Sequence, residues 1–141
     1  MTATLIDTNL LIYAFDASDK AKNANAKDLL DRLTVDQSGV LSSQNLIEFA
    51  NVMLKKSRPT QNFVIIHNAI EIMVESFDIL LPNDQTVSQA LTAVERFQIS
   101  YWDALIWAIA KQHAIPEILT EDLPGGRSEI DGIAYRNPLQ I

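Results

Sequence analysis

The hydrophobic positions of the chain alternate between two rhythms. Thr4-Leu5-Ile6, Val40-Leu41, Asp78-Ile79-Leu80-Leu81 and Ile118-Leu119 are short apolar runs, as buried strands are. The stretches between them space their apolar residues three and four apart, the period of a helix with one buried face. Asn9 to Phe15 reads as a short helix after the first strand, with Asp7 or Thr8 as its cap. Asn23 to Leu33 puts Ala24, Leu29, Leu30 and Leu33 on one face. Ser42 or Ser43 caps a helix carrying Leu46, Ile47, Ala50, Met53 and Leu54; Lys55, Lys56 and Arg58 suit its C-terminal end, and Pro59 stops it. Asn62 to Phe77 aligns Ile66, Ile70, Met73 and Val74, and Gln85 to Phe97 aligns Val87, Ala90, Leu91 and Val94. Tyr101 to His113 is apolar through Leu105, Ile106, Ala108 and Ile109. Pro82 and Pro116 punctuate the chain, Pro124-Gly125-Gly126 is a turn, and Ile133-Ala134-Tyr135 is a last short strand.

Strands alternating with helices predict an α/β fold: a short central parallel sheet flanked by helices on both faces, as one domain over residues 1–141. In such folds ligands bind outside the carboxyl ends of the strands, so polar residues at strand ends invite a chemical reading.

Composition narrows the chemistry. The chain has no cysteine, which excludes a disulfide framework and thiolate metal sites. The net charge of −7 argues against non-specific nucleic-acid binding unless something reverses the sign locally, and a bound divalent cation does so. An acidic chain also suits a basic protein partner. The N-terminus shows no signal-peptide pattern, and no apolar run approaches the roughly 20 residues of a membrane span, so a soluble, cytoplasmic protein without membrane contact is expected.

Four acids stand out by position. Asp7 follows the first strand and Asp122 lies just past the fourth, on the same expected sheet edge. Glu48 is enclosed by Leu46, Ile47, Phe49 and Ala50, and Asp103 by Tyr101, Trp102, Ala104 and Leu105. A carboxylate in an apolar run is costly unless compensated. Taken singly, each has a plainer explanation. Asp7 caps a helix, Asp103 complements a helix dipole, Glu48 is solvated at the edge of an apolar face, and Asp122 is a turn residue. Together they point elsewhere. At ~4 Å and an effective dielectric near 20, two like charges repel by about 4 kcal/mol, so gathered carboxylates call for a cation. Hard ions such as Mg²⁺ and Mn²⁺ prefer carboxylate oxygen, and phosphodiester hydrolysis is the chemistry that fits. His67 and His113 lie outside this set and read as structural or exposed.

Asp7-Thr8-Asn9, Glu48 within Ser43-Gln44-Asn45-Leu46-Ile47-Glu48, Trp102-Asp103-Ala104, and Leu119-Thr120-Glu121-Asp122-Leu123 together resemble the PIN domain, most closely the bacterial VapC-type toxin ribonucleases. The resemblance runs from Leu5 to about Pro138. It implies an α/β/α sandwich and Mg²⁺- or Mn²⁺-dependent endoribonuclease activity. It implies Asp7, Asp103 and Asp122 as metal ligands, directly or through water, and Glu48 as the residue that holds or activates water. Asn9 and Thr120 match polar positions that orient the acids, and Glu121 competes with Asp122 for the fourth role, with Asp122 the better match. The resemblance further implies an RNA substrate, a homodimer, and a small antitoxin that lays a segment near the acidic cleft, often with a basic side chain entering it. The alternative is a non-catalytic PIN-like module that binds metal or protein. A phospho-accepting receiver domain lacks its acidic pair here, and a haloacid-type phosphatase needs an acid where Asn9 stands. Arg127 is a candidate phosphate contact. Lys20, Lys22 and Lys27 form either an RNA-facing edge or a solvated face, and Lys55, Lys56 and Arg58 more simply end a helix. Trp102, Trp107 and Phe97 are expected in the core or at a dimer contact.

Overall fold

The computed structural model describes residues 2–60 and 62–139. In chain order the elements are β1 (Thr4–Ile6), α1 (Thr8–Phe15), α2 (Lys20–Asp36), β2 (Gly39–Ser42), α3 (Ser43–Lys56), α4 (Phe63–Ser76), β3 (Asp78–Leu80), α5 (Asp84–Phe97), α6 (Tyr101–Gln112), β4 (Glu117–Leu119), a 3₁₀ turn at Pro124–Gly126, β5 (Glu129–Ile130) and β6 (Ile133–Arg136). The strands form one sheet in the order β3-β2-β1-β4-β6-β5, parallel except for β5, which runs antiparallel to β6. The expected α/β architecture is present. The two-residue β5 was not expected, because so short a strand leaves no periodic trace.

Strand side chains alternate between two cores. Leu5, Val40, Ile118 and Tyr135 face α5 and α6, packing with Ala104, Ala108 and Ile109. Ile6, Leu41 and Leu119 face the other way, against Leu10, Leu29, Phe49 and Met73 of α1–α4. Gly39 opens β2 because a Cβ there would come within 2.7 Å of the Phe77 ring.

The helical faces differ from the sequence expectation by a rotation. In α2 Leu29 and Leu30 are buried as expected, but Ala26 joins them and Ala24 is exposed. In α3 Phe49 is fully buried and Ile47 is 69% exposed. In α4 Ala69 packs inward and Val74 does not, and in α5 Thr86 and Ala93 are buried while Val87 and Leu91 face out. Only α6, buried on nearly every side, matches throughout. Among the described residues no helix is long and apolar enough to cross a membrane.

Chain order creates the site's location. From β1 the chain moves outward through β2 to β3, then returns to place β4 on the other side of β1. Adjacent parallel strands whose following connections diverge leave a crevice at their carboxyl ends. Here that crevice opens between β1 and β4.

Candidate active site

Asp7 is the residue that leaves β1. Its backbone N–H still donates to Leu119 O at 2.8 Å, so it is held at the mouth of the β1–β4 crevice. By strand parity its side chain falls on the same face as Leu5, toward α6. It caps α1, with Oδ1 accepting from Thr8 N at 2.8 Å, while Oδ2 accepts from Thr120 Oγ1 at 2.9 Å. The plain capping role and membership of an acidic cluster hold together for this residue.

Thr120 leaves β4 and is buried. Its hydroxyl also accepts from Asn9 Nδ2 and from Asp122 N, both at 3.1 Å. One hydroxyl thereby joins the ends of β1 and β4 and starts the turn that carries Asp122. Asn9 Oδ1 takes Glu121 N at 3.3 Å and secures the same segment. Asp122 itself is exposed.

Glu121 points away from this group. Its carboxylate pairs with Lys22 Nζ at 2.6 Å and accepts from Tyr13 Oη at 2.6 Å. Burial works against its charge, but these two bonds outweigh that and hold its carboxyl below the usual range. Lys22, one of the candidate RNA-facing lysines, is therefore engaged in tying the β4 loop to α1 and α2.

Glu48 comes from the first half of α3. A capping box starts that helix: Asn45 Oδ1 accepts from Ser42 N at 2.8 Å and Ser42 Oγ from Gln44 N at 3.2 Å. Asn45 Nδ2 then donates to Thr8 Oγ1 at 3.1 Å, and Thr8 Oγ1 donates to Glu48 Oε1 at 3.3 Å. Gln44 Nε2 donates to Glu48 Oε1 at 3.2 Å and to Trp102 O at 3.3 Å, linking α3 to the start of α6. Asp103 sits in the first turn of α6, its backbone N–H bound to the cap hydroxyl of Ser100 at 3.1 Å.

The four acids lie within one another's fields. Burial is the main force raising the Asp7 carboxyl, and the charges of Asp103 and Asp122 add to it against the bonds from Thr120 and Thr8. Glu48 is raised by burial and then by Asp7 and Asp103, opposed by Gln44 and Thr8. Asp103 is raised by burial and by Asp122, opposed by Ser100. Among the described residues, no three His, Asp or Glu side chains stand close enough to enclose one ion directly.

Several neighbours were not assigned from the sequence. Thr8 lies within Asp7-Thr8-Asn9, Gln44 and Asn45 within Ser42-Ser43-Gln44-Asn45, and Ser100 just before Tyr101, so the available signal was a polar residue at the start of each helix. Tyr135 gave none, because an aromatic in a terminal strand reads as core. Arg127 is exposed and bonds to none of the acids, and His67 and His113 are exposed on α4 and at the end of α6. Trp107 is core, with Phe97 packed edge-on at 5.4 Å, whereas Trp102 is 61% exposed.

The comparisons agree with this architecture. The structure of VapC20 from Mycobacterium tuberculosis, described as a sarcin-ricin-loop cleaving toxin, is 18% identical over 82% of this chain and 87% of its own, with a TM-score of 0.66. A toxin–antitoxin complex from Klebsiella pneumoniae is 21% identical over 99% of this chain and 100% of that one, TM-score 0.69. DNA-bound VapBC from Salmonella typhimurium is 19% identical over 98% and 99%, TM-score 0.68. Among curated proteins none matches the sequence. At these identities the likeness is one of fold. The sequence profile of the PIN domain matches residues 4–123, from β1 through the segment that carries Asp122, and the chain is a member of the PIN-domain family.

Proposed function

We propose that the chain is a divalent-metal-dependent endoribonuclease, the toxin of a type II toxin–antitoxin pair. One observation carries this reading: Asp7, Glu48, Asp103 and Asp122 come from four separate elements to one sheet edge and act on one another electrostatically. A set of oxygen donors held at such a cost suits Mg²⁺ or Mn²⁺. Asp7, Asp103 and Asp122 would hold the ion, largely through water at the spacing described, since Mg²⁺ keeps several of its waters. The cation supplies the charge that draws an RNA phosphate to an acidic chain and stabilises the leaving oxygen.

The chain's own groups do the rest. Glu48 takes both of its side-chain bonds on Oε1. Oε2 is left to accept a proton from attacking water, and a raised pKa suits a general base. Thr120 orients Asp7 and the Asp122 loop together. Arg127, exposed beyond the Pro124–Gly126 turn, is the candidate phosphate contact.

Two apolar grooves support the reading of the partners. Ile47, Val87 and Trp102 line a groove with Tyr101 and Leu105 beside Glu48, suited to a second copy of the chain. A separate groove between α2 and α4, lined by Phe15, Leu30, Ile72 and Phe77, suits an apolar segment of an antitoxin. The cleft's negative charge suits a basic side chain from that partner.

The test is incubation of total RNA with the purified chain in Mg²⁺, in Mn²⁺ and in chelator, beside Asp7→Ala. Discrete fragments lost with chelator and with the substitution are expected. No cleavage under any condition, in a protein that still binds its antitoxin, would instead identify a binding module.

A further inference from the structure

Two features of the acidic site are each incomplete. The carboxylates stand too far apart to enclose an ion, and Tyr135 Oη, among the described residues, is buried with no hydrogen-bond partner. Tyr135 is 7% exposed. A buried phenol ordinarily finds a partner or reaches solvent with its polar tip, and an orphaned one is costly.

Register locates this hydroxyl. Tyr135 lies opposite Ile118 on β4, and Ile118 lies opposite Leu5 on β1. All three face α6. Asp7 is two residues beyond Leu5 on the same face, and Asp103 opens α6 above it. Tyr135 therefore lies two strands from β1, level with Leu5, on the face from which Asp7 projects. Asp103 and Asp7 are the two charges that act on its hydroxyl. Together with burial, which is the larger cause, they keep the phenol protonated and hence a donor.

We propose that Tyr135 is a positioning residue of the acidic site, whose orphaned hydroxyl donates a hydrogen bond to Asp103 or Asp7 once those carboxylates close around a divalent cation. The inference rests on the metal-dependent reading above. A carboxylate oxygen so held is fixed in orientation and spared some repulsion from its neighbours. The bond absent from the open site is then formed in the closed one, and it contributes to cation affinity and not to the stability of the metal-free fold.

Mn²⁺ binding by the wild type, Tyr135→Phe and Asp103→Asn is the test, measured by calorimetry or by the spin resonance of free Mn²⁺. Tyr135→Phe keeps the packed ring. Its metal-free melting temperature should equal or exceed that of the wild type, because an unpaired hydroxyl is removed. Its Mn²⁺ affinity should fall about tenfold, the usual effect of losing a group that orients a ligand. Adding Mg²⁺ to the wild type should also produce a tyrosine difference-absorbance signal that persists in Tyr13→Phe and is absent in Tyr135→Phe. Wild-type affinity in Tyr135→Phe, or no tyrosine signal in a wild type that does bind metal, would overturn the inference and leave the metal-dependent reading intact. A wild type that takes up no Mn²⁺ would overturn both.

Discussion

At the scale of single residues, the acids are maintained against their own folding energy. Asp7, Glu48 and Asp103 all have carboxyls raised above their ordinary values of 3.8, 4.5 and 3.8. The folded chain therefore binds protons more tightly than the unfolded one at these positions. Their effect on stability is most favourable below the ordinary carboxylate range and is lost as pH rises through the raised values. Asp7→Asn should accordingly melt above the wild type at pH 7 without metal, and the gap should close as pH falls toward about 4. Asparagine is as good a cap for α1, with an oxygen still able to accept from Thr8 N, and removing the buried charge, the largest cause raising the Asp7 carboxyl, outweighs the bond lost from Thr120 Oγ1. The same substitution should lower RNA cleavage by about 100-fold or more. A destabilised Asp7→Asn at neutral pH would show that the carboxylate is a structural asset. All four acids were visible in the sequence, Glu48 and Asp103 because a charge inside an apolar run contradicts its surroundings, and Asp7 and Asp122 because they follow strands at one sheet edge. Tyr135 was invisible for the opposite reason: its ring agrees with the surroundings and only its oxygen does not.

At the scale of elements, the sequence located every helix to within a few residues but turned several of them. Periodicity identifies an apolar arc without saying which part of a wide arc faces the core. In α3 and α5 the arc is wide. Asn45 and Thr86, both fully buried and both used in capping boxes, occupy inward positions that a hydropathy pattern assigns to solvent. Ile47, Val87 and Leu91 are displaced outward as a result. Asn45 also carries the bond to Thr8 that supports Glu48. Asn45→Ala should therefore destabilise the fold by about 1–3 kcal/mol, read from denaturant unfolding, and weaken cleavage beyond the loss of folded protein. Glu121→Gln supplies a contrast. It loosens the tie to Lys22 and should lower the melting temperature, with a smaller effect at high salt, while metal affinity is kept.

At the scale of the whole molecule, the α/β order of elements and the sheet edge shared by Asp7 and Asp122 were legible, because strand ends follow from hydropathy, whereas the β1–β4 crevice depends on a spatial strand order that hydropathy does not carry. The surfaces were not, since residues meant for a partner carry the same apolar signature as residues meant for the core. Trp102, 61% exposed beside Ile47 and Val87, is where that ambiguity can be tested. Light scattering should find a dimer for the wild type and a monomer for Trp102→Glu; a wild-type monomer would reassign the groove. The sheet order has one more consequence. β1, at its centre, is the first strand made, but β4, β6 and the residues Asp103 and Asp122 come last. A ribosome releasing this chain exposes Asp7 and Glu48 long before Asp103 and Asp122, so the nascent protein carries half of the acidic set first. Thr120 N, moreover, is bonded to Arg136 O. Under the proposed toxin function, this order gives an interval, set by translation itself, in which an inhibitor can be at hand before the acidic edge is complete.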